Sequence, residues 1–501
     1  MEEKGNEKNK MITDQIAILL INPDSNDTRK NSLPLGLLYI LRALRENGNN
    51  VYLIDLANRV GDKSLLDSIL TDKIISVAGI STCTAVYPAV LKIAERIKTL
   101  SPHTSVVLGG PHASWDYITI LNTQKQIDAV SIGPGEETWI AIAKAFSDKQ
   151  KTPFATIPDV AWRDASHRIH VNPHHELDIG HLSPPDFSDY RSFTGIPSIC
   201  TQRGCAFQCS FCALNTEQKN RWHRLKRESI VRELENLSQY FNIKDLDIAD
   251  ADFLTLPTHA EQVVSEIRNI NTVNSIYFST RVDSVIKASS LIERMNQDFN
   301  LYIELGIESG SDSQLDRYGK RVTTSQIKEA VSFLRKLRAN SVIIQPDMLL
   351  FDPYVSPIEL SESLNLMKEL QFNQARFEDS LFAKLYLLPG TEMKNRCVRD
   401  GLAFENGVLI PFWTFLNEES AIIYSYLEKY KHLVLPLVIS EREQLRSAPH
   451  KDNSIAYWKR MKVLSEYTFS YFGKILNCNG SVYEMNKLLE ESIAEMNSNN
   501  N

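Results

Sequence analysis

Over residues 15–146 the chain alternates short apolar runs with longer amphipathic stretches. The runs at 15–22 (QIAILLIN), 51–56, 74–81 (IISVAGIS), 105–110 (SVVLGG) and 129–133 (AVSIG) have little or no polar face, which suits strands buried on both sides. Between the first two, Leu37, Ile40, Leu41 and Leu44 recur at helical spacing and Gly48 supplies a stop. A second stripe, Val90, Ile93, Ala94 and Ile97, follows Pro88, and a last helix is predicted near 136–146. Five β-α repeats predict a doubly wound parallel sheet over residues 13–150.

The pattern then changes. VAWRD and RIHVN read as a hairpin, and a Pro-, Asp- and His-rich connector follows, so residues 151–193 read as hairpin and linker. A second β-α series occupies 194–404. Its predicted strands are 198–202, 245–249, 275–279, 301–306, 341–349 and 381–388, with helices between them such as 229–240 and 259–268. Six such units predict part of a β/α barrel, a partial (β/α)6 arrangement, with chemistry at the carboxyl ends of the strands. Residues 405–495 read as a helical segment rich in aromatics, including Phe412, Trp413, Phe415, Tyr424, Tyr426, Tyr430, Trp458, Tyr467 and Tyr471. Rings at such spacing read as helix core before they read as a substrate cage. The Asn-rich tail after Met496 reads as disordered.

Composition adds little to the fold and something to the chemistry. The 501 residues are 43% hydrophobic and 23% charged, as in an ordinary globular protein, with a net charge of −7 that argues against a nucleic-acid groove spread over the surface. The polar N-terminus lacks a signal-peptide core and no run is long enough to span a bilayer, so the chain reads as cytoplasmic. Seven cysteines are present, and four of them, Cys200, Cys205, Cys209 and Cys212, fall within thirteen residues. An odd count in such a chain does not suggest a disulfide framework. Cys83, Cys397 and Cys478 stand apart, and the last two read as buried thiols.

Cys205, Cys209 and Cys212 stand in CAFQCSFC. Three thiolates at this spacing suit one iron–sulfur cubane and leave its fourth iron open. The alternative is a structural zinc site. Zinc usually draws on a second CxxC or a histidine pair, and neither is present unless Cys200 serves as fourth ligand.

This CxxxCxxC motif, set just after the first strand of a β-α barrel, resembles the radical S-adenosylmethionine (SAM) superfamily. The resemblance implies a [4Fe–4S] cluster that cleaves SAM to a 5′-deoxyadenosyl radical, with the three cysteines as catalytic metal ligands. It implies that Phe211 packs near the adenine; plain packing at the barrel mouth is the alternative. DIADADF, at 247–253, matches the place where relatives hold the SAM ammonium, with Asp250 the first choice and Asp252 the second. For Asp252 the alternative is a helix cap. Ser279 and Arg281 end the next strand, where Arg281 suits the SAM carboxylate or an ordinary ion pair. GIESG at 306–310 resembles the superfamily's GIES signature and nominates Glu308, and LPGT at 388–391 resembles its late PGT turn. Methylthiotransferases also place a domain before such a barrel, but theirs carries three further cysteines and this one only Cys83.

The strings SLPLGLLYILRALRENG, VAGIST, VVLGGPHAS and IGPGEET resemble the cobalamin-binding domain of a large radical SAM subclass. Ligands of doubly wound sheets lie beyond the carboxyl ends of the strands, where this chain places Ser81, Thr82, Gly109, Gly110, His112, Gly133, Gly135 and Glu136. The DxHxxG motif that supplies a cobalt ligand elsewhere is missing, so His112 is nominated for contact with the corrin or its tail and not as a cobalt ligand; a merely satisfied polar histidine is the alternative. A plain nucleotide site is the competing reading, although no GxGxxG follows the first strand.

The expected function is therefore radical SAM chemistry with cobalamin, most readily methyl transfer to an unactivated centre. Cyclisation, ring contraction or oxidation with the same cofactors is the alternative. A metal-stabilised binding protein without turnover is the third reading. The substrate class stays open among small molecules, lipids and peptides, and an electron donor such as flavodoxin or ferredoxin is implied.

Overall fold

The computed structural model describes residues 16–24, 32–175, 179, 182–214, 222–372, 381–403, 413–447, 465–478 and 481–499. Phe412 and Trp458 lie outside the described residues. The chain divides into two compact units. One comprises 1–206, 213–251 and 258–276; the other comprises 207–212, 252–257 and 277–501.

The first unit contains the predicted doubly wound sheet. β1 (Ala17–Asn22), β2 (Asn50–Asp55), β3 (Ile75–Ser81), β4 (Ser105–Gly109) and β5 (Ala129–Ser131) are parallel, in the order β2-β1-β3-β4-β5. Ile18 to Ile21 are fully buried, as a central strand covered on both faces demands. The register runs Asn22↔Asp55 on one side of β1 and Leu20↔Gly79 on the other, so the order reverses between β1 and β3. That reversal is a topological switch point, which opens a crevice beyond the strand ends. The predicted hairpin forms as β6 (Val160–Arg163) and β7 (Ile169–Val171) and extends the sheet antiparallel beyond β5.

Later in the same unit, β8 (Ser198–Ile199) is followed by β9 (Gln202–Gly204), which pairs antiparallel with β10 (Trp222–Arg224). The strand expected over 198–202 is thus interrupted. The carboxylate of Asp250 takes the backbone N–H groups of Thr201 (2.8 Å) and Gln202 (3.1 Å), which removes them from a parallel ladder. β11 (Asp245–Ile248) pairs parallel with β8. The helix Arg227–Tyr240 lies between β10 and β11 in the chain.

In the second unit, β13 (Asn300–Glu308), β14 (Val342–Met348) and, from residue 277 on, β12 (Ser275–Arg281) lie in the order β14-β13-β12. Capping boxes at Thr323/Gln326 and Ser356/Glu359 start the helices Thr324–Lys336 and Pro357–Glu369. The strand expected over 381–388 does not form. It is reduced to a bridge between Phe351 and Lys384, because the Leu385 carbonyl accepts the Trp413 indole N–H at 2.8 Å and so leaves the ladder. The C-terminal part is helical, with helices Glu418–Ser447 and Val482–Asn499. The last helix continues to Asn499, where disorder is expected from composition; extending an existing helix costs little. Trp413, Tyr426, Tyr430 and Tyr471 are buried, and Tyr430 stacks on Tyr471 at 4.2 Å, so these rings are core. Among the described residues no helix is long and apolar enough to cross a membrane.

Candidate functional site

The cysteine motif leaves β9 through Gly204, whose φ of +78° is a turn conformation suited to glycine. In the second unit the loop Phe207–Cys212 is clamped by backbone from a distant turn. The Ser210 N–H donates to the Tyr318 carbonyl (2.8 Å), its hydroxyl to the Arg317 carbonyl (2.9 Å), and the Met393 N–H donates to the Ser210 carbonyl (2.9 Å). Gly319, at φ +65°, sits where a Cβ would lie 3.3 Å from the Gln208 carbonyl. Phe211 meets Tyr318 edge-on at 5.2 Å and packs with Leu385, Met393 and Cys397. Burial pushes the Cys397 thiol up to about 11, so it stays protonated.

Arg281, at the end of β12, reaches this loop. Its guanidinium donates to the Cys209 Sγ at 3.3 Å, to Asp283 at 2.9 Å and to the Lys320 carbonyl at 2.5 Å, and lies 3.8 Å from the Phe207 ring centroid. A buried cation there offsets the charge of a thiolate. Cys205, Cys209 and Cys212 are each partly exposed and not in a disulfide. Among the described residues no three acidic, His or Cys side chains converge on a single ion. A cubane takes each thiolate at a separate iron, so convergence on one point is not what it needs. Three partly exposed thiols, one of them (Cys209) beside a guanidinium, are a donor set that fits that group.

The nominated carboxylates have local partners. Asp252 accepts from the Thr280 hydroxyl (2.7 Å), the Ser284 hydroxyl (2.7 Å) and the Arg281 N–H (3.3 Å), which places it at the start of the helix Val282–Lys287. Asp250, in the first unit, also accepts the Thr201 hydroxyl at 2.5 Å, and burial pushes it up to about 6. Ser279 donates to Glu304 at 2.6 Å. Glu308 pairs with Lys320 at 2.9 Å, both largely buried. Its φ of +67° is unusual for a residue with a side chain, and strain of this kind concentrates at functional sites. Gly306 makes room for the pair, since a Cβ there would lie 3.0 Å from the Glu308 carboxylate and 3.2 Å from the Lys320 amine.

The nominated residues at the ends of β3, β4 and β5 form a different surface. Gly110, at φ +94°, runs so close to Thr82 that a Cβ would meet the Thr82 carbonyl at 2.8 Å. The Thr82 N–H bonds the Gly109 carbonyl, and the His112 N–H bonds the Thr82 carbonyl. Gly133 takes φ +72° with nothing within 4 Å of a Cβ position, while Gly109 has only Ser131 at 4.0 Å. Ser81 is half-buried at the end of β3. Gly135 instead permits close packing, its Cβ position lying 2.8 Å from Ile40. His112 is buried, its Nδ1 3.2 Å from the Thr84 hydroxyl, and burial pushes its pKa down to about 4. Its Nε2 and the Ser131 hydroxyl are buried without a hydrogen-bond partner. Open glycine backbone beside orphaned polar atoms fits a large ligand with polar appendages, as a corrin is.

Glu136 is turned away from that surface onto Arg203, at 2.7 Å. Arg203, Glu233, Lys320 and Gly319 were not nominated by sequence. Their only local signals are the Arg-Gly step before Cys205 and the Gly-Lys step at 319–320.

Comparison with known proteins agrees with this organisation. A methyltransferase of uncharacterized role from Pyrococcus horikoshii is 24% identical over 472 residues, covering 92% of this chain and 96% of that protein. The anaerobic magnesium-protoporphyrin IX monomethyl ester cyclase of Synechocystis is 24% identical over 343 residues, with 64% of this chain and 66% of that protein covered. The structure of the cobalamin-dependent S-adenosylmethionine radical enzyme OxsB, with aqua-cobalamin and S-adenosylmethionine bound, superimposes with a TM-score of 0.77 at 16% identity, over 97% of this chain and 75% of that one. Residues 28–143 match the model of the B12 binding domain, and residues 199–354 match that of the radical SAM superfamily. The chain is a radical SAM enzyme with an N-terminal B12-binding domain.

Proposed function

We propose that this enzyme transfers a methyl group from SAM, by way of cobalamin, to an unactivated centre of a small-molecule, lipid or peptide substrate in the cytoplasm. The observation that carries the reading is the joining, in one chain, of a B12-binding domain at 28–143 to a radical SAM domain that contains Cys205, Cys209 and Cys212. The relative matched along nearly its whole length is named a methyltransferase. When bound, a [4Fe–4S] cluster supplies the electron that cleaves SAM to a 5′-deoxyadenosyl radical, and cobalamin carries the methyl group.

The chain's own residues then have separable tasks. Cys205, Cys209 and Cys212 would hold the cluster through their thiolates. Arg281 balances thiolate charge at Cys209 and has a guanidinium suited to the SAM carboxylate. Glu308, held by Lys320, offers an acceptor to the nucleoside; Asp252 fixes the end of β12 and Asp250 the residues after β8. Ser279 lies on the same strand as Arg281 and adds a hydroxyl. Phe211 gives an apolar wall against which an adenine packs. Ser81, Thr82, Gly109, Gly110, Gly133 and Gly135 give the corrin close backbone approach, and His112 offers Nε2 to its periphery. Water exclusion around the radical falls to the same walls. A reduced flavodoxin or ferredoxin is the expected electron source.

The second reading is cyclisation or another radical step without methyl transfer, favoured by the likeness to the cyclase. Anaerobically reconstituted protein, given SAM, hydroxocobalamin and titanium(III) citrate, separates the two. Methyl transfer requires release of S-adenosylhomocysteine together with 5′-deoxyadenosine. Release of 5′-deoxyadenosine alone favours the second reading. A colourless protein that takes up zinc and releases neither product sinks both.

A further inference from the structure

Three buried carboxylates hold the stem of the cysteine motif, each at a different residue. Glu233 accepts the Cys200 N–H at 3.2 Å. Asp250 accepts the N–H groups of Thr201 and Gln202. Glu136 pairs with the Arg203 guanidinium at 2.7 Å, and that guanidinium lies 4.8 Å from the centroid of the Tyr39 ring. Tyr39 in turn donates to Glu233 at 2.5 Å, which closes the set. Glu136, Glu233 and Asp250 are 3%, 2% and 4% exposed. All of these groups belong to the first compact unit.

Stability alone does not account for this. A buried ion pair contributes little net stability over a well-packed apolar pair, because both charges lose hydration. Here the second oxygen of Glu136 is also buried without a partner, a further cost. What a charged pair does provide is a defined register, because a guanidinium and a carboxylate satisfy each other in few geometries. The register set here joins two particular places. Arg203 stands two residues before Cys205, and Glu136 opens the helix Glu136–Ser147 directly after the GPG turn of the B12-binding domain.

We infer that Arg203 is a positioning residue: through Glu136 and Tyr39 it ties the stem of the cluster-binding motif to the turn of the B12-binding domain, so that the steps needing both cofactors are aligned. The inference rests on the function proposed above. It predicts that losing the pair damages the step in which SAM and cobalamin meet more than the step that needs the cluster alone.

The test is the double variant Glu136→Leu/Arg203→Met, which removes both charges and leaves neither stranded. Iron content, hydroxocobalamin uptake by absorbance and the thermal midpoint report on folding. With SAM and titanium(III) citrate, the ratio of S-adenosylhomocysteine to 5′-deoxyadenosine released reports on alignment. The double variant should keep its iron, its hydroxocobalamin and its melting, while that ratio falls between about tenfold and a hundredfold, as misplacement by an ångström does. Arg203→Lys keeps the charge without the fork and should give an intermediate ratio. It also carries the test if the double variant fails to fold. An unchanged ratio in whichever variant folds overturns the inference. A wild-type protein that releases neither product overturns the proposed function itself, whatever the variants do.

Discussion

The carboxyl ends of the strands differ between the N-terminal sheet and the β12–β14 sheet. β3, β4 and β5 run out into glycines, serine and threonine, with Gly133 facing open space and Ser131 and His112 holding orphaned polar atoms. β12 and β13 run out into Arg281 and Glu308, each buried and each paired, to Asp283 and Lys320. The first kind of ending lets a bulky ligand approach bare backbone. The second sets fixed charges at the strand ends, which the proposed function assigns to a small zwitterion such as SAM. Two sheets built on the same β-α logic are thus specialised by what stands at the ends of their strands and not by their cores.

This contrast can be broken at the charged end first. Lys320→Met strands the Glu308 carboxylate in a buried site, and removal of one partner from such a pair costs about 3–5 kcal/mol. Urea denaturation should show that loss, and Glu308→Gln, which leaves an amide to accept from the lysine, should lose less. Equal losses for the two variants would mean that the charge pairing is not what holds this end.

At the glycine end, two substitutions of the same kind should separate. Gly110→Ala combines a positive φ with a clash against Thr82 backbone, and should cost about 1–3 kcal/mol of stability. Gly133→Ala meets no neighbour, so only its φ of +72° opposes it, at about 1 kcal/mol. Its effect should appear in binding instead. If the open space over Gly133 seats the corrin, hydroxocobalamin affinity falls about tenfold, or 1.4 kcal/mol. An unchanged affinity would remove Gly133 from the cradle.

Sequence pattern located the parallel strands well because their signal is local: Ile18 to Ile21 must be apolar whatever else the chain does. It failed where a distant side chain captured backbone. The strand expected through Gln202 breaks because Asp250 takes its N–H groups, and the strand expected over 381–388 fades because Trp413 takes a carbonyl. The cysteine motif and the glycine turns were legible as spacing. Asp252 was nominated from its place in DIADADF, and the structure gives it three donors near the start of the helix Val282–Lys287. Arg203, Glu233 and Lys320 were not, because a buried charge is defined by its partner, and Glu136 and Arg203 stand 67 residues apart. Local propensity carries no information about such pairs.

The smallest effect separates the two regions by pH. In the N-terminal sheet, burial pushes His112 down to about 4 from an ordinary 6.5. The unfolded chain then binds this proton more readily than the folded one, so His112 stability is complete above about 6.5 and is lost as pH falls toward 4. At the stem of the cysteine motif the sign is opposite. Burial pushes Glu233 up to about 7 and Asp250 up to about 6, so the folded chain binds protons more readily, and their contribution is lost as pH rises through those values. Between pH 4.5 and 6 two carboxylates are opposed by one histidine, so these three groups together lower the wild-type melting temperature as pH rises, by less than the carboxylates would alone. His112→Asn removes one side of that balance, so its melting temperature should fall more steeply than wild type as pH rises through this window. Parallel profiles for the two proteins would show that His112 is not held neutral in the folded state, and the proton-binding contrast between the two regions would fail.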